Sequence, residues 1–192
     1  SGTGGGGGSS FGHICKAFFS PTTTGNFDVD LSGLGGTPTA VIIEATQFTG
    51  SLNPGNITQA SYHDRIYCKG WSDGTTEACL VRSGDRPSGS LAWTGYRNDA
   101  CINLTDPSAG TATLLERATV SSFSNNKVTL NFSTASATEF VYTIRAFTGV
   151  EAAVINTTNP GTTGDHTHAH GLSSAPNVMW CLSNNNQDTI NT

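Results

Sequence analysis

The chain has 192 residues, a net charge of −5 and only 12% charged residues, about half the ~25% usual for a soluble domain. That length suits one sizeable domain with a short appendage, able to fold without a metal or a disulfide. Low charge, 23 glycines and no basic stripe argue against a helical bundle, ordinary disorder and nucleic-acid binding; no apolar run reaches the about 18–20 residues of a membrane span.

The opening SGTGGGGGSS (1–10) reads as a glycine-rich arm. It matches GxGxxG at Gly2, Gly4 and Gly7, but no strand precedes it and no helical pattern follows, so no dinucleotide site is read from it. It has neither the charged nor the apolar region of a secretory signal; Ser1 fits a processed start or, the favoured reading, a chain that has lost an initiator Met, which implies synthesis in a cytoplasm. Short β-type runs follow, separated by turn chemistry. ICKAFFS (14–20) is apolar and aromatic, and NFDVDLSGL (26–34) alternates Phe27, Val29 and Leu31 against Asp28 and Asp30. AVIIEAT (40–46) suits a central strand, and a long loop is expected from Gly50 to Asp64. RIYCKGW (65–71) and EACLVRS (77–83) read as a hairpin across SDGTT. SLAWTGY (90–96) and ACINL (100–104) come next. ATLLERATV (112–120) has the length of a two-turn helix, but Thr119, Val120 and the context favour a strand. KVTLNFS (127–133), EFVYTIRAF (139–147) and a weaker EAAVINT (151–157) complete the series.

About ten strands with turn signals between them, and no βαβ alternation, predict an all-β fold. The expected architecture is a single antiparallel β-sandwich, jelly-roll-like, over residues 11–158, after an arm at 1–10 and before an extended tail at 159–192. The tail is too short for a core of its own. Its apolar run VMWCL (178–182) should therefore dock on the sandwich or on another subunit, which makes Val178, Met179 and Trp180 candidate oligomer contacts.

The five cysteines form no CxxC, so zinc-ribbon and thioredoxin readings fail. Several fit as small core residues; Cys15 and Cys181 are the candidates for a disulfide or an interchain contact. No GxSxG, HExxH, Walker A or kinase signature is present, so no enzyme is expected. Asp28 and Asp30 share a strand face but lack a DxDxDG loop, and read as a polar edge rather than a calcium site. Trp71, Trp93 and Tyr96 are candidates for a sugar-stacking platform, with core packing as the alternative.

GDHTHAHGL (164–172) holds three of the five histidines, His166, His168 and His170. In an extended chain they form one row of imidazoles at about 6.5–7 Å per step. Two neighbours can converge on one ion, but a full coordination shell needs other residues or other chains. Asp165 is placed to orient a ring. A solvated turn and a proton-gated contact are the alternatives.

The ordered series TPTAVIIEAT, CLVRS, NDACINL, RATVSSFSNNKVTLNFSTA and FVYTIRAF resembles β-sandwich modules in tailed-bacteriophage structural proteins, over residues 26–148. GDHTHAHGL is similar to the His-x-His segments at the tips of trimeric phage fibres, where each of three chains gives two histidines to one metal on the three-fold axis. Carried over, the ligands would be two of His166, His168 and His170, and the metal a transition ion, Fe or Zn, shared between chains. The resemblance implies a virion structural protein: a capsid decoration, fibre or neck/tail appendage subunit. It would be a homo-oligomer, as a trimer, contacting other virion proteins, assembled in the host cytoplasm and then extracellular. The alternative is a glycan-binding module that recognises a host surface. Neither nucleic acid nor membrane is an expected partner.

Overall fold

A computed structural model describes residues 10–46, 64–85, 92–106, 113–157 and 161–180. Among them the predicted runs form ten strands: β1 (Gly12–Phe19), β2 (Gly25–Asp30), β3 (Ala40–Thr46), β4 (Asp64–Ser72), β5 (Glu77–Asp85), β6 (Ala92–Arg97), β7 (Ile102–Asp106), β8 (Thr113–Ser124), β9 (Lys127–Thr134) and β10 (Val141–Thr148). They make two antiparallel sheets, one ordered β1-β10-β3-β4-β5-β6 and the other β2-β9-β8-β7. The chain is all-β and sandwich-like, as its alternation predicts. The first and last strands lie side by side: β1 pairs with β10, and β2 with β9. Between those pairs run two meanders, β3 to β6 and β7 to β9.

ATLLERATV falls within the long strand β8, kinked by register shifts against both neighbours. EAAVINT is corrected: residues 151–157 form no strand. Ala152 and Val154 do alternate inward, but the Val154 N–H bonds the Asp73 carboxylate instead of a ladder partner. The loop expected at 50–64 lies almost wholly outside the described residues.

Turn chemistry follows the sequence. Asp73 Oδ1 accepts the Thr75 and Thr76 N–H groups and Gly74 takes a positive φ of 86°, which closes the β4–β5 hairpin. Asn126, at φ 53°, is the non-glycine residue in the left-handed region at the β8–β9 turn. Its side chain accepts the Gly35 N–H and its carbonyl accepts the Leu31 N–H, tying that hairpin tip to the loop after β2.

The core lies between the sheets. Val41, Ile43, Cys68, Cys79, Val81, Tyr142 and Ile144 face Val29, Ile102, Leu104, Ala118, Leu130 and Phe132. Phe18 of β1 stacks on Tyr142 of β10 and touches Phe27 of β2, whose ring meets Phe132 edge-on. This aromatic chain joins both sheets along the side where the chain ends meet. At the outer edge of that side Lys16 of β1 pairs with Asp30 of β2. On the far side β7 closes against β4 and β5. The approach is close: a Cβ on Gly70 would lie 1.7 Å from the Cys101 carbonyl oxygen. Cys68, Cys79 and Cys101 are buried there as free thiols, the small core residues the sequence suggested.

One acid is enclosed with them. Glu116 of β8 is fully buried and accepts hydrogen bonds from Ser20 Oγ (2.7 Å) and Tyr142 OH (2.5 Å). Ser20 and Phe140 also bond reciprocally through backbone and hydroxyl. A single carboxyl therefore ties β8 in one sheet to β10 and the end of β1 in the other.

Candidate functional site

After β10 the chain turns at Gly149, whose φ is 71° and whose missing Cβ leaves room for the Ser10 carbonyl. The segment that follows runs past the end of the β4–β5 hairpin. Val154 N–H donates to Asp73 Oδ2, and Asn156 Nδ2 donates to the Glu77 carbonyl. The Tyr96 hydroxyl donates to Asn156 Oδ1. The chain then doubles back: Ser173 bonds Glu151 through N–H and hydroxyl, and His168 meets Thr157. These contacts fasten the tail to the β4–β5 turn, β5 and β6, on the face of the six-stranded sheet away from the core. Ile42, Ala78 and Leu80 point to that face yet are only 4–5% exposed.

Glu77 sits where the tail attaches. Its Oε1 accepts the Val120 N–H, and its Oε2 is buried without a hydrogen-bond partner among the described residues. Burial, with Asp99 and Asp73 adding repulsion, pushes its carboxyl up to about 7 from 4.5. A raised folded-state pKa favours the protonated fold. The stability Glu77 contributes is full below 4.5 and is lost as pH rises through about 7. The thermal midpoint of the full chain is expected to fall across that window, and to fall less in Glu77→Gln. An equal pH dependence in both proteins would exclude Glu77 as the responsible group.

The candidate histidines all lie on this tail. His166 and His168 are exposed and His170 is half-buried. His166 Nε2 lies 2.9 Å from the Thr162 carbonyl, which can only accept, so Nε2 carries the proton and the Nδ1 lone pair is available. His168 Nδ1 lies 3.1 Å from Thr157 Oγ1; with the proton on Nδ1, the Nε2 lone pair is available. His170 differs. Its Nδ1 accepts the Leu172 N–H, which places the proton of the neutral ring on Nε2. Among the described residues no three His, Cys, Asp or Glu side chains stand close enough to hold a metal within one chain.

The other candidates separate. Trp71, half-buried, and Tyr96, exposed, share the outer face, opposite Ala78 and Leu80 of the intervening β5. Trp93 opposes Ser83 in β6, and its side chain lies outside the described residues. Cys15 is exposed on β1, opposite Arg145, whereas Cys181 lies outside the described residues. Val178, Met179 and Trp180 are exposed, with Lys69 Nζ 5.9 Å from the Trp180 ring. Asp28 and Asp30 are engaged by the protein itself: Asp28 pairs with Lys127 and accepts from the Thr129 hydroxyl, and Asp30 pairs with Lys16 and accepts from the Ser32 hydroxyl. The Lys16 bond leads in holding the Asp30 carboxyl down at about 2.

Sequence reasoning missed the residues that hold the tail. In the sequence Asp73 reads as a turn residue and Asn156 as part of a strand. The one hint was that Asp73-Gly74 leaves a second carboxylate oxygen beyond what the turn uses. Comparison of the chain with protein-family models, with curated proteins and with solved structures finds no match.

Proposed function

We propose that this chain is a structural subunit of a bacteriophage particle surface, a capsid decoration, fibre or neck/tail appendage, and that it works by oligomeric assembly. The observation that carries the reading is the pair His166 and His168. His166 has Nε2 held by a backbone carbonyl and its Nδ1 lone pair left, and His168, with the proton on the Nδ1 that faces Thr157 Oγ1, leaves the Nε2 lone pair, as in a metal-ligating imidazole. Two such rings are an incomplete shell. Three copies meeting at the tail supply six nitrogens, a set suited to a first-row transition ion such as Fe or Zn. The resemblance of GDHTHAHGL to fibre-tip segments supports the same arrangement, and the hydrogen bonding favours His166 and His168 as its ligands.

Native mass spectrometry with elemental analysis tests it. The expected result is a trimer with one transition-metal ion per three chains, the ion lost on chelation and absent from His168→Ala. Metal-free chains, or a trimer that holds its metal without His166 and His168, would exclude this site. The glycan-binding reading has Trp71 and Tyr96 on one face in its favour. The tail crosses that face and Asn156 occupies the Tyr96 hydroxyl, so the assembly reading is preferred.

A further inference from the structure

Among the described residues, two apolar patches stand exposed on the outer face of the six-stranded sheet. One is the row along edge strand β1: Phe11 just before it, then His13, Cys15, Ala17 and Phe19, alternating outward. Phe11 is 65% and Phe19 50% exposed. The other is the tail tip, where Val178, Met179 and Trp180 are 72%, 74% and 56% exposed. Edge strands are usually protected by proline, bulges or outward charge. β1 holds no proline, keeps an uninterrupted register with β10, and spends its one Lys on Asp30.

The two patches lie on one line across the sheet. Trp180 neighbours Lys69, which opposes Glu44, which opposes Thr143, which opposes Ala17. Three strand spacings of about 4.8 Å separate them by roughly 14 Å. The ground between is polar, with the Lys69–Glu44 ion pair, Thr143 and exposed Arg145. A tip sliding onto its own row would bury those charges. The flanking segments are poor covers: residues 1–9 carry no apolar side chain, and residues 181–192 carry Cys181, Leu182 and Ile190 among polar ones.

We infer that the tail tip of one copy docks on the β1 row of a second copy of this chain. The patches differ, so the contact is head-to-tail, and every copy offers one of each. Such contacts close into a ring when the rotation permits, and a ring of three agrees with the reading above. The contact itself uses no metal and goes beyond that reading. It also places Cys15 in the receiving row and, by sequence, Cys181 next to the docking tip, the pair singled out for interchain contact.

The test uses full-length Trp180→Ser, which spoils the tip, and Phe19→Ser, which spoils the row, with EDTA throughout so that metal plays no part. Both side chains are exposed, and circular dichroism checks the fold; Phe11→Ser is the second row variant. By sedimentation velocity the wild type is expected to associate, and each variant alone to associate at least tenfold more weakly. An equimolar mixture restores one intact contact, a Phe19→Ser tip on a Trp180→Ser row, and should give heterodimers. A wild type monomeric in EDTA, variants that associate normally, or a mixture that stays monomeric would each overturn the inference. The metal reading is tested separately, by elemental analysis: whether the ion leaves on chelation and is absent from His168→Ala.

Discussion

Gly70→Ala is expected to cost about 3 kcal/mol or more of folding stability, at or beyond the upper end of what overpacking a core costs. The reason is what the new methyl would meet. It would fall 1.7 Å from the Cys101 carbonyl oxygen, with the Cys101 carbonyl carbon and Cα next in line. Side chains can swing aside; this is backbone, held by the Cys101 N–H bond to the Ala118 carbonyl. Relief therefore requires β7 to lift away from β4, which opens the core around Cys68, Cys79 and Leu104. Gly161→Ala is the matched control, since a Cβ there meets nothing within 4 Å and its cost should stay within about 0.5 kcal/mol. Urea denaturation of the two variants gives the comparison; equal midpoints would mean that the two strands do not approach as described.

Glu116→Leu is the second large effect. It removes the acceptor for two buried hydroxyls, those of Ser20 and Tyr142, at about 1–3 kcal/mol for each group left unpaired. Glu116→Gln is expected to keep most of the stability, because an amide retains an acceptor oxygen and adds a donor. Burial raises the Glu116 carboxyl above its ordinary 4.5, against the partial opposition of its two hydroxyl bonds. Its contribution is thus full below 4.5 and is lost as pH rises through the folded-state value. Glu116→Gln, which cannot ionise, should lose less stability than the parent as the solution is made alkaline. Chemical denaturation at a series of pH values measures this, and a Gln variant as pH-sensitive as the parent would remove Glu116 from the account.

The sandwich was legible because its strands advertise themselves locally. Phe27, Val29 and Leu31 alternate with aspartates, and Asp73-Gly74 and Asn125-Asn126 mark the hairpins. EAAVINT carried a similar alternation and misled. A strand needs a neighbour with free backbone groups, and residues 151–157 instead meet side chains at a hairpin end. The tail's course was hidden for a related reason: its fastenings join residues far apart in sequence, Asp73 with Val154 and Tyr96 with Asn156. Glu116 offered a faint signal. It sits in the row Leu114, Glu116, Ala118, Val120, where an acid interrupts apolar positions, but nothing local names Ser20 and Tyr142 as its partners. The histidine row could be read from spacing. Which of its rings present a lone pair depends on Thr157, Thr162 and Leu172, and only the folded chain brings those together.

Pairing the first strand with the last constrains how the molecule can be made. Gly12 opposes Thr148, so β1 cannot find its ladder until nearly the whole sandwich has left the ribosome. Contacts this distant in sequence are slow to form, because loop-closure entropy is lost before they contribute. Throughout synthesis the FGHICKAFF segment must wait with its aromatic residues unshielded, while the β3–β6 meander can already zip from local hairpins. Folding is therefore expected to run from the middle of the chain outward. The seam between the two ends closes last, so the surface inferred to receive a neighbouring copy is also the final part of each copy to be completed.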